Sequence, residues 1–154
     1  MIARISTELA CSADVAWQHL QRFETFEQVA WGLLGFEAEA PVPEQFQIGT
    51  VVVGRLWFLH FIPGWRHQIR IASVDQARRQ WRTSEQGGLL QVWNHQIEIV
   101  PLSNQSSNYT DEIELDAGWL TWVNWIVTHL FFRYRQIRLR RLARRWQPAA
   151  RKAL

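Results

Sequence analysis

Four side chains able to hold or move a proton, His67, Glu85, His95 and Asp111, sit at alternating positions of apolar segments. In QVWNHQIEIV, residues 91–100, Trp93, His95, Ile97 and Ile99 share one face, and Asn94, Gln96 and Glu98 share the other. Successive side chains of a strand point to opposite faces, so the first set, apolar except for His95, is predicted to point inward. In YTDEIELDA, residues 109–117, the inward set is Tyr109, Asp111, Ile113 and Leu115, with Asp111 its one charged member. A hairpin with its loop centred near residue 103 sets His95 opposite Asp111 and Trp93 opposite Ile113. A slip of two residues would leave the faces unchanged. An inward imidazole facing an inward carboxylate favours a charged pair.

The same parity turns His67, Ile69 and Ile71 inward on HQIRIASVD, and Trp81, Thr83 and Glu85 inward on QWRTSE. A hairpin through DQARR brings Glu85 beside Ile69, one inward step from His67. Apolar walls with a few polar groups are the composition of a small-molecule pocket. The candidate ligand-binding residues are His67, Glu85, Trp93, His95, Tyr109 and Asp111, with Leu130 and Tyr134 from the terminal segment and Thr83 beside them. Three readings stay open. The polar groups pair with one another to satisfy buried charge. They orient the polar end of an otherwise apolar ligand. Or His95 and Asp111 are catalytic, serving as general acid and base in a cyclisation or dehydration.

Other chemistries find little support. No histidines, cysteines and carboxylates fall at metal-ligand spacing, so no metal is expected. Cys11, the only cysteine, has no obvious base and excludes an intrachain disulfide; no G-x-S-x-G elbow is present. Gly32 and Gly35 are followed by no lysine and make no phosphate loop. No cofactor is implied.

The elements that must position these groups follow from pattern. IARISTEL alternates as a strand. CSADVAW starts a helix, with Ser12 able to cap and Asp14 in the first turn, and a second short helix covers about residues 25–31. After Pro41 and Pro43 the chain reads as strands: TVVVGRLWFLHF, a turn at Pro63-Gly64-Trp65, HQIRIASVD, QWRTSE, a tight connection at Gly87-Gly88, LLQVWNHQIEIV and YTDEIELDA. The meander has about six strands. One long helix, starting near Gly118, closes the chain.

This order resembles that of the helix-grip proteins, the START/Bet v 1-like superfamily that includes polyketide cyclases and lipid carriers. The resemblance rests on VAWQHLQRFETFEQV, WNHQIEIV, and YTDEIELDAGWLT leading into an arginine-rich terminal helix. It implies an α+β fold in which a curved antiparallel sheet of about seven strands wraps the terminal helix, with an apolar cavity between them. A small hydrophobic ligand, such as a lipid, isoprenoid or polyketide, is the implied partner.

Within that helix, Val123, Ile126, Val127, Leu130, Tyr134 and Ile137 recur at spacings of three and four and form the stripe predicted to lie on the sheet. Trp122, Trp125, His129 and Phe132, with Arg133 and Arg140, then look outward. They form a surface for a second subunit in a homodimer or for an anionic bilayer. A membrane span needs about 20 apolar residues, and Asn124, Thr128 and His129 interrupt a shorter run. Around the cavity, Phe58, Phe61 and Trp65, and Trp31 with Phe36, are candidate rim aromatics.

The net charge of +3 conceals an asymmetry. Residues 133–154 hold nine basic and no acidic side chains, and the remainder holds eight basic against fourteen acidic. An acidic body without a helix-turn-helix or zinc-finger pattern argues against nucleic acid as a partner. MIARISTELACS lacks the basic start and apolar run of a signal peptide, so Asn104-Gln-Ser106 and Asn108-Tyr-Thr110 read as chance glycosylation patterns. The expectation is a cytoplasmic helix-grip domain over residues 1–147 and a basic, disordered tail over 148–154. Peripheral contact with an anionic membrane would run through the arginine cluster.

Overall fold

A computed structural model describes residues 1–88 and 90–146, so the tail expected over 148–154 lies outside the described residues. The chain runs β1 (Ile2–Leu9), α1 (Ala13–Leu20), α2 (Phe23–Ala30), β2 (Leu34–Ala38), β3 (Val51–Phe58), β4 (Ile62–Asp75), β5 (Gln80–Gly87), β6 (Leu90–Pro101) and β7 (Ser107–Asp116). A short 3₁₀ turn at Gly118–Leu120 leads into α3 (Thr121–Trp146). The seven strands form one curved antiparallel sheet in the order β1-β7-β6-β5-β4-β3-β2, wrapped around α3. This is the helix-grip architecture.

Local chemistry accounts for several boundaries. Ser12 caps α1, its hydroxyl accepting from Val15 N at 3.4 Å, with Asp14 in the first turn. Ala16, Trp17 and Leu20 of α1 join Ile71, Trp81, Ile97, Ile99 and Leu139 in the larger core cluster. Strand β2 was not apparent as a strand in the sequence. LGFEA is too short and too weakly alternating to announce itself, and its pairing with β3 makes it one.

The turn predicted at Pro63-Gly64-Trp65 lies three residues earlier. Leu59 and His60 take left-handed backbone (φ 51° and 66°), and Pro63 sits inside β4 opposite Trp57. His60 can hold that conformation because its Nε2 accepts from Gly32 N at 2.9 Å, tying the turn to the end of α2. Proline at the start of a strand, ahead of the register shift between Arg55 and Trp57, disturbs little of the ladder.

Two further expectations are corrected. In the β6–β7 hairpin His95 is opposite Ile113, Trp93 opposite Leu115, and Asp111 opposite Ile97. The loop centres one residue later than expected, which moves every partner by two and preserves each face. The larger correction concerns α3. Its buried face is Thr128, Phe132, Arg135, Gln136, Leu139 and Ala143, whereas Ile126, Val127 and Leu130 are exposed. At about 100° per residue the two stripes lie on opposite sides of the helix. The helix has turned its polar-looking side inward because strand groups on that side need its donors. Gln136 Nε2 donates to Ile5 O at 2.7 Å and to Asp111 Oδ2 at 3.0 Å.

Candidate functional site

Four neighbouring strands carry a belt of paired polar groups across the inner face of the sheet. His67 on β4 meets Glu85 on β5, Nε2 to Oε2, at 2.8 Å. Thr83, two residues from Glu85 and on the same face, donates to Glu85 Oε1 at 2.8 Å. His95 on β6 meets Asp111 on β7, Nε2 to Oδ1, also at 2.8 Å. Both pairs are diagonal rather than directly opposed, since His67 faces Gly87 and His95 faces Ile113 across their ladders. Diagonal same-face neighbours remain within reach of side chains of this length.

Asp111 is the most heavily partnered of these groups. It accepts from His95, from Tyr109 Oη at 2.5 Å and from Gln136 Nε2 at 3.0 Å, and only 1% of it is exposed. Burial by itself would raise its pKa. The hydrogen bond and charge of His95, the charge of Arg135 and the Tyr109 hydroxyl outweigh burial and hold the carboxyl below the usual range. Glu85 follows the same logic: burial pushes it up, and His67, His95 and Thr83 together pull it down. Tyr109 is driven well above the ordinary phenol range, by burial first and the neighbouring Asp111 charge second. With Asp111 ionised, His95 Nε2 is the donor. Nδ1 is then the nitrogen able to exchange a proton with a bound molecule.

The belt faces a half-open cavity of about 490 Å³ between the sheet, α2 and α3. Its walls are mainly apolar: Val29 from α2, Ile69, Ile71 and Ile97 from the sheet, and Phe131 and Phe132 from α3. His67, Thr83, Glu85 and His95 supply the polar floor, and Thr128 and Arg135 approach from α3. Phe132 closes one side, its ring edge-on to His95 with centroids 4.9 Å apart. A separate hollow of about 360 Å³, bordered by Trp31, Glu37, Trp57 and His60, contains neither pair.

A family model described as "Domain of unknown function (DUF8410)" matches residues 7–143, which include the whole belt and all the α3 residues facing it. The chain belongs to this family. No curated protein is detectably similar in sequence. Solved structures share the fold at low identity. One is a START superfamily protein from Mycobacterium smegmatis, with a TM-score of 0.71 and 15% identity over 95% of this chain and 99% of that one. Another is norcoclaurine synthase from Thalictrum flavum in complex with dopamine and hydroxybenzaldehyde, at 0.68 and 15% over 96% and 88%. A third is a protein from Chromobacterium violaceum, at 0.71 and 10% over 92% and 96%. The fold is therefore that of the START/Bet v 1-like superfamily.

Of the residues singled out in the sequence, His67, Glu85, Trp93, His95 and Leu130 line the cavity. Tyr109 and Asp111 do not; Asp111 bonds His95 Nε2, and Tyr109 in turn donates to Asp111. Tyr134 is also outside the lining, because its hydroxyl donates to Trp31 O at 2.7 Å and packs over Gly32. Of the outward surface expected on α3, Phe132 is buried and Trp125 and His129 are half-buried. Trp125 Nε1 donates to Ile2 O at 2.8 Å and its ring packs on the smaller core cluster, while Arg133 donates to Ser6 O at 3.2 Å. Both serve the backbone of edge strand β1, whose outer carbonyls have no neighbouring strand. Trp122, Arg133 and Arg140 remain exposed, and no helix among the described residues is long and apolar enough to cross a membrane.

Sequence reading did not single out Arg135, which fell within the arginine cluster expected to reach an anionic membrane. It is 8% exposed, with its guanidinium carbon 4.7 Å from the Phe132 ring centre and 5.9 Å from those of Phe26 and Phe131. A desolvated cation–π contact returns about 2 kcal/mol, less than the several kcal/mol that burying an ion costs. Placing Phe132, Leu139 and Ala143 on one inward stripe would have found it, since Arg135 falls at the i+3 position from Phe132.

Proposed function

We propose that this protein binds an apolar or amphipathic small molecule in the cavity between its sheet and α3. The observation that carries the reading is the combination of a half-open, mainly apolar cavity of about 490 Å³ with a short row of fixed polar groups on one wall. A core of ordinary density leaves few voids larger than a water molecule. That norcoclaurine synthase, with the same fold, is found with two small aromatic molecules is consistent with it.

Native mass spectrometry of freshly purified protein, followed by organic extraction, is the direct test. A stoichiometric lipid, isoprenoid or polyketide-like adduct is expected. The matching variant is Thr128→Trp, which extends an indole from a buried position on α3 into the cavity. It should reduce adduct occupancy at least tenfold. Because the ring enters open space, folding should cost no more than the ~1–3 kcal/mol of ordinary overpacking. Protein that carries nothing, and takes up no uncharged hydrophobic dye when challenged, would sink the reading.

A second reading, general acid–base catalysis, is favoured by one feature: His95 stands at the cavity wall with its far nitrogen anchored by an ionised, triply bonded Asp111. An imidazole fixed in this way can accept or return a proton during cyclisation or dehydration of a bound substrate. Once a ligand is identified, His95→Gln should keep its affinity within about threefold and slow any conversion by the 10²–10⁴ typical of general acid–base catalysis. Conversion at the wild-type rate in that variant would remove the dyad from the mechanism.

A further inference from the structure

Arg135 is a buried cation that meets aromatic rings and the more distant charge of Asp111 but, among the described residues, no hydrogen-bond acceptor. Among the described residues no nitrogen of its guanidinium makes a hydrogen bond, no carboxylate lies within 4.0 Å of it, and Nε is wholly enclosed without a partner. Both carboxylates of the belt are already engaged, Glu85 by His67 and Thr83, and Asp111 by His95, Tyr109 and Gln136. An arginine does not shed its charge to relieve such burial. Its five donors form a planar fork that matches a carboxylate.

The rest of the cavity leans the same way. Buried polar atoms nearly always find a hydrogen-bond partner. Here Trp65 Nε1, Trp81 Nε1, His67 Nδ1 and Arg135 Nε all lack one, and all four belong to residues lining the cavity. The two indole nitrogens and the guanidinium can only donate. Three of these four unpaired nitrogens can therefore only donate, and the cation among them has no carboxylate within 4.0 Å among the described residues.

We infer that the ligand is an amphiphile with a carboxylate group, held by the guanidinium of Arg135 on α3 while its apolar body fills the space beneath Phe131 and Phe132. This rests on the cavity reading above and narrows it to a chemical class. The rings of Phe132, Phe26 and Phe131 pack around the guanidinium carbon at 4.7–5.9 Å and supply no acceptor for its N–H groups. A neutral alcohol of the same length meets the same walls but leaves the cation unpaired.

The test uses the full chain at pH 7.5 and N-phenyl-1-naphthylamine, an uncharged dye that reports occupancy of the cavity. The dye is displaced with dodecanoate or with 1-dodecanol. Water holds the carboxylate more strongly than the alcohol, so any preference for dodecanoate has to come from the protein. Dodecanoate is expected to compete at least about tenfold better. Arg135→Met should erase the preference while still binding the dye, and Arg135→Lys should keep part of it. Equal competition by the two compounds in the wild type overturns the proposal and leaves the cavity reading intact, as does a preference that survives Arg135→Met. Failure of the dye to bind wild-type protein removes the cavity reading, and this inference with it. Should Arg135→Met not fold, the wild-type comparison and Arg135→Lys decide between these outcomes.

Discussion

Asp111→Asn is expected to destabilise the protein by about 3–5 kcal/mol, the usual consequence of removing one partner from a buried charge pair. Three donors converge on that carboxylate, from His95, Tyr109 and Gln136. An amide brings one acceptor oxygen and an NH₂ group of its own, so at least one donor is left facing another. For a chain of this size the loss corresponds to a fall in Tm of roughly 10–15 °C. Gln136 makes the effect larger than a local one, because the contact it loses helps to seat α3 on β1 and β7. Thermal unfolding followed by circular dichroism measures it. A change below about 1 kcal/mol would mean that the belt is not closed as described.

The same carboxylate sets a pH dependence whose sign can be worked out. The folded-state pKa of Asp111 is depressed, so the unfolded chain binds protons more readily than the native one. The stabilisation is present above the ordinary carboxylate range, near about pH 4, and is lost as the pH falls through the lower folded-state value. Glu85 contributes in the same direction. Wild-type stability is therefore expected to decline steeply below about pH 4, and Asp111→Asn to flatten part of that decline. A variant as acid-sensitive as the wild type would move the effect to Glu85 or elsewhere.

The second large effect separates the two possible orientations of α3. Phe132→Ala is expected to cost about 3–5 kcal/mol, in the range of buried phenylalanine truncations. Its ring is 2% exposed and touches His95, Trp93, Phe131 and the Arg135 guanidinium. Leu130→Ala, at 69% exposure, should stay within about 0.5 kcal/mol. Were the apolar stripe of the helix the buried one, the order of the two would reverse. Urea denaturation midpoints, at a common slope, read the difference directly.

That pair of variants also marks where sequence reasoning stopped. The strand faces were legible because a sheet covered on one side imposes a period of two, and one inward-facing polar residue among Ile and Trp stands out. His67, Thr83, Glu85, His95 and Asp111 were assigned to the inner face on that basis, and all five are there. Their register was open, since it depends on where a polar loop of ordinary composition turns, and a shift of one residue at residues 102–106 moved the partners by two. The pairs formed regardless, because both registers keep the imidazole and the carboxylate on one face.

The helix was the opposite case. Counting apolar positions selected Val123, Ile126, Val127, Leu130, Tyr134 and Ile137, a rule that holds when the face opposite is itself apolar. Here the face opposite is a strand edge with free carbonyls and a buried carboxylate, and these reward donors. Gln136, Trp125 and Arg133 satisfy them, and the rotation that brings them in carries Phe132, Leu139 and Arg135 inward as well. Alternation by itself determined the inner face of the sheet and the residues of the polar belt, from local pattern, and the order of elements carried the resemblance that implied the fold. Which side of α3 is buried, and hence the partnerless arginine in the cavity wall, was decided only in the tertiary structure, where donors on one element met acceptors on another more than a hundred residues away in the chain.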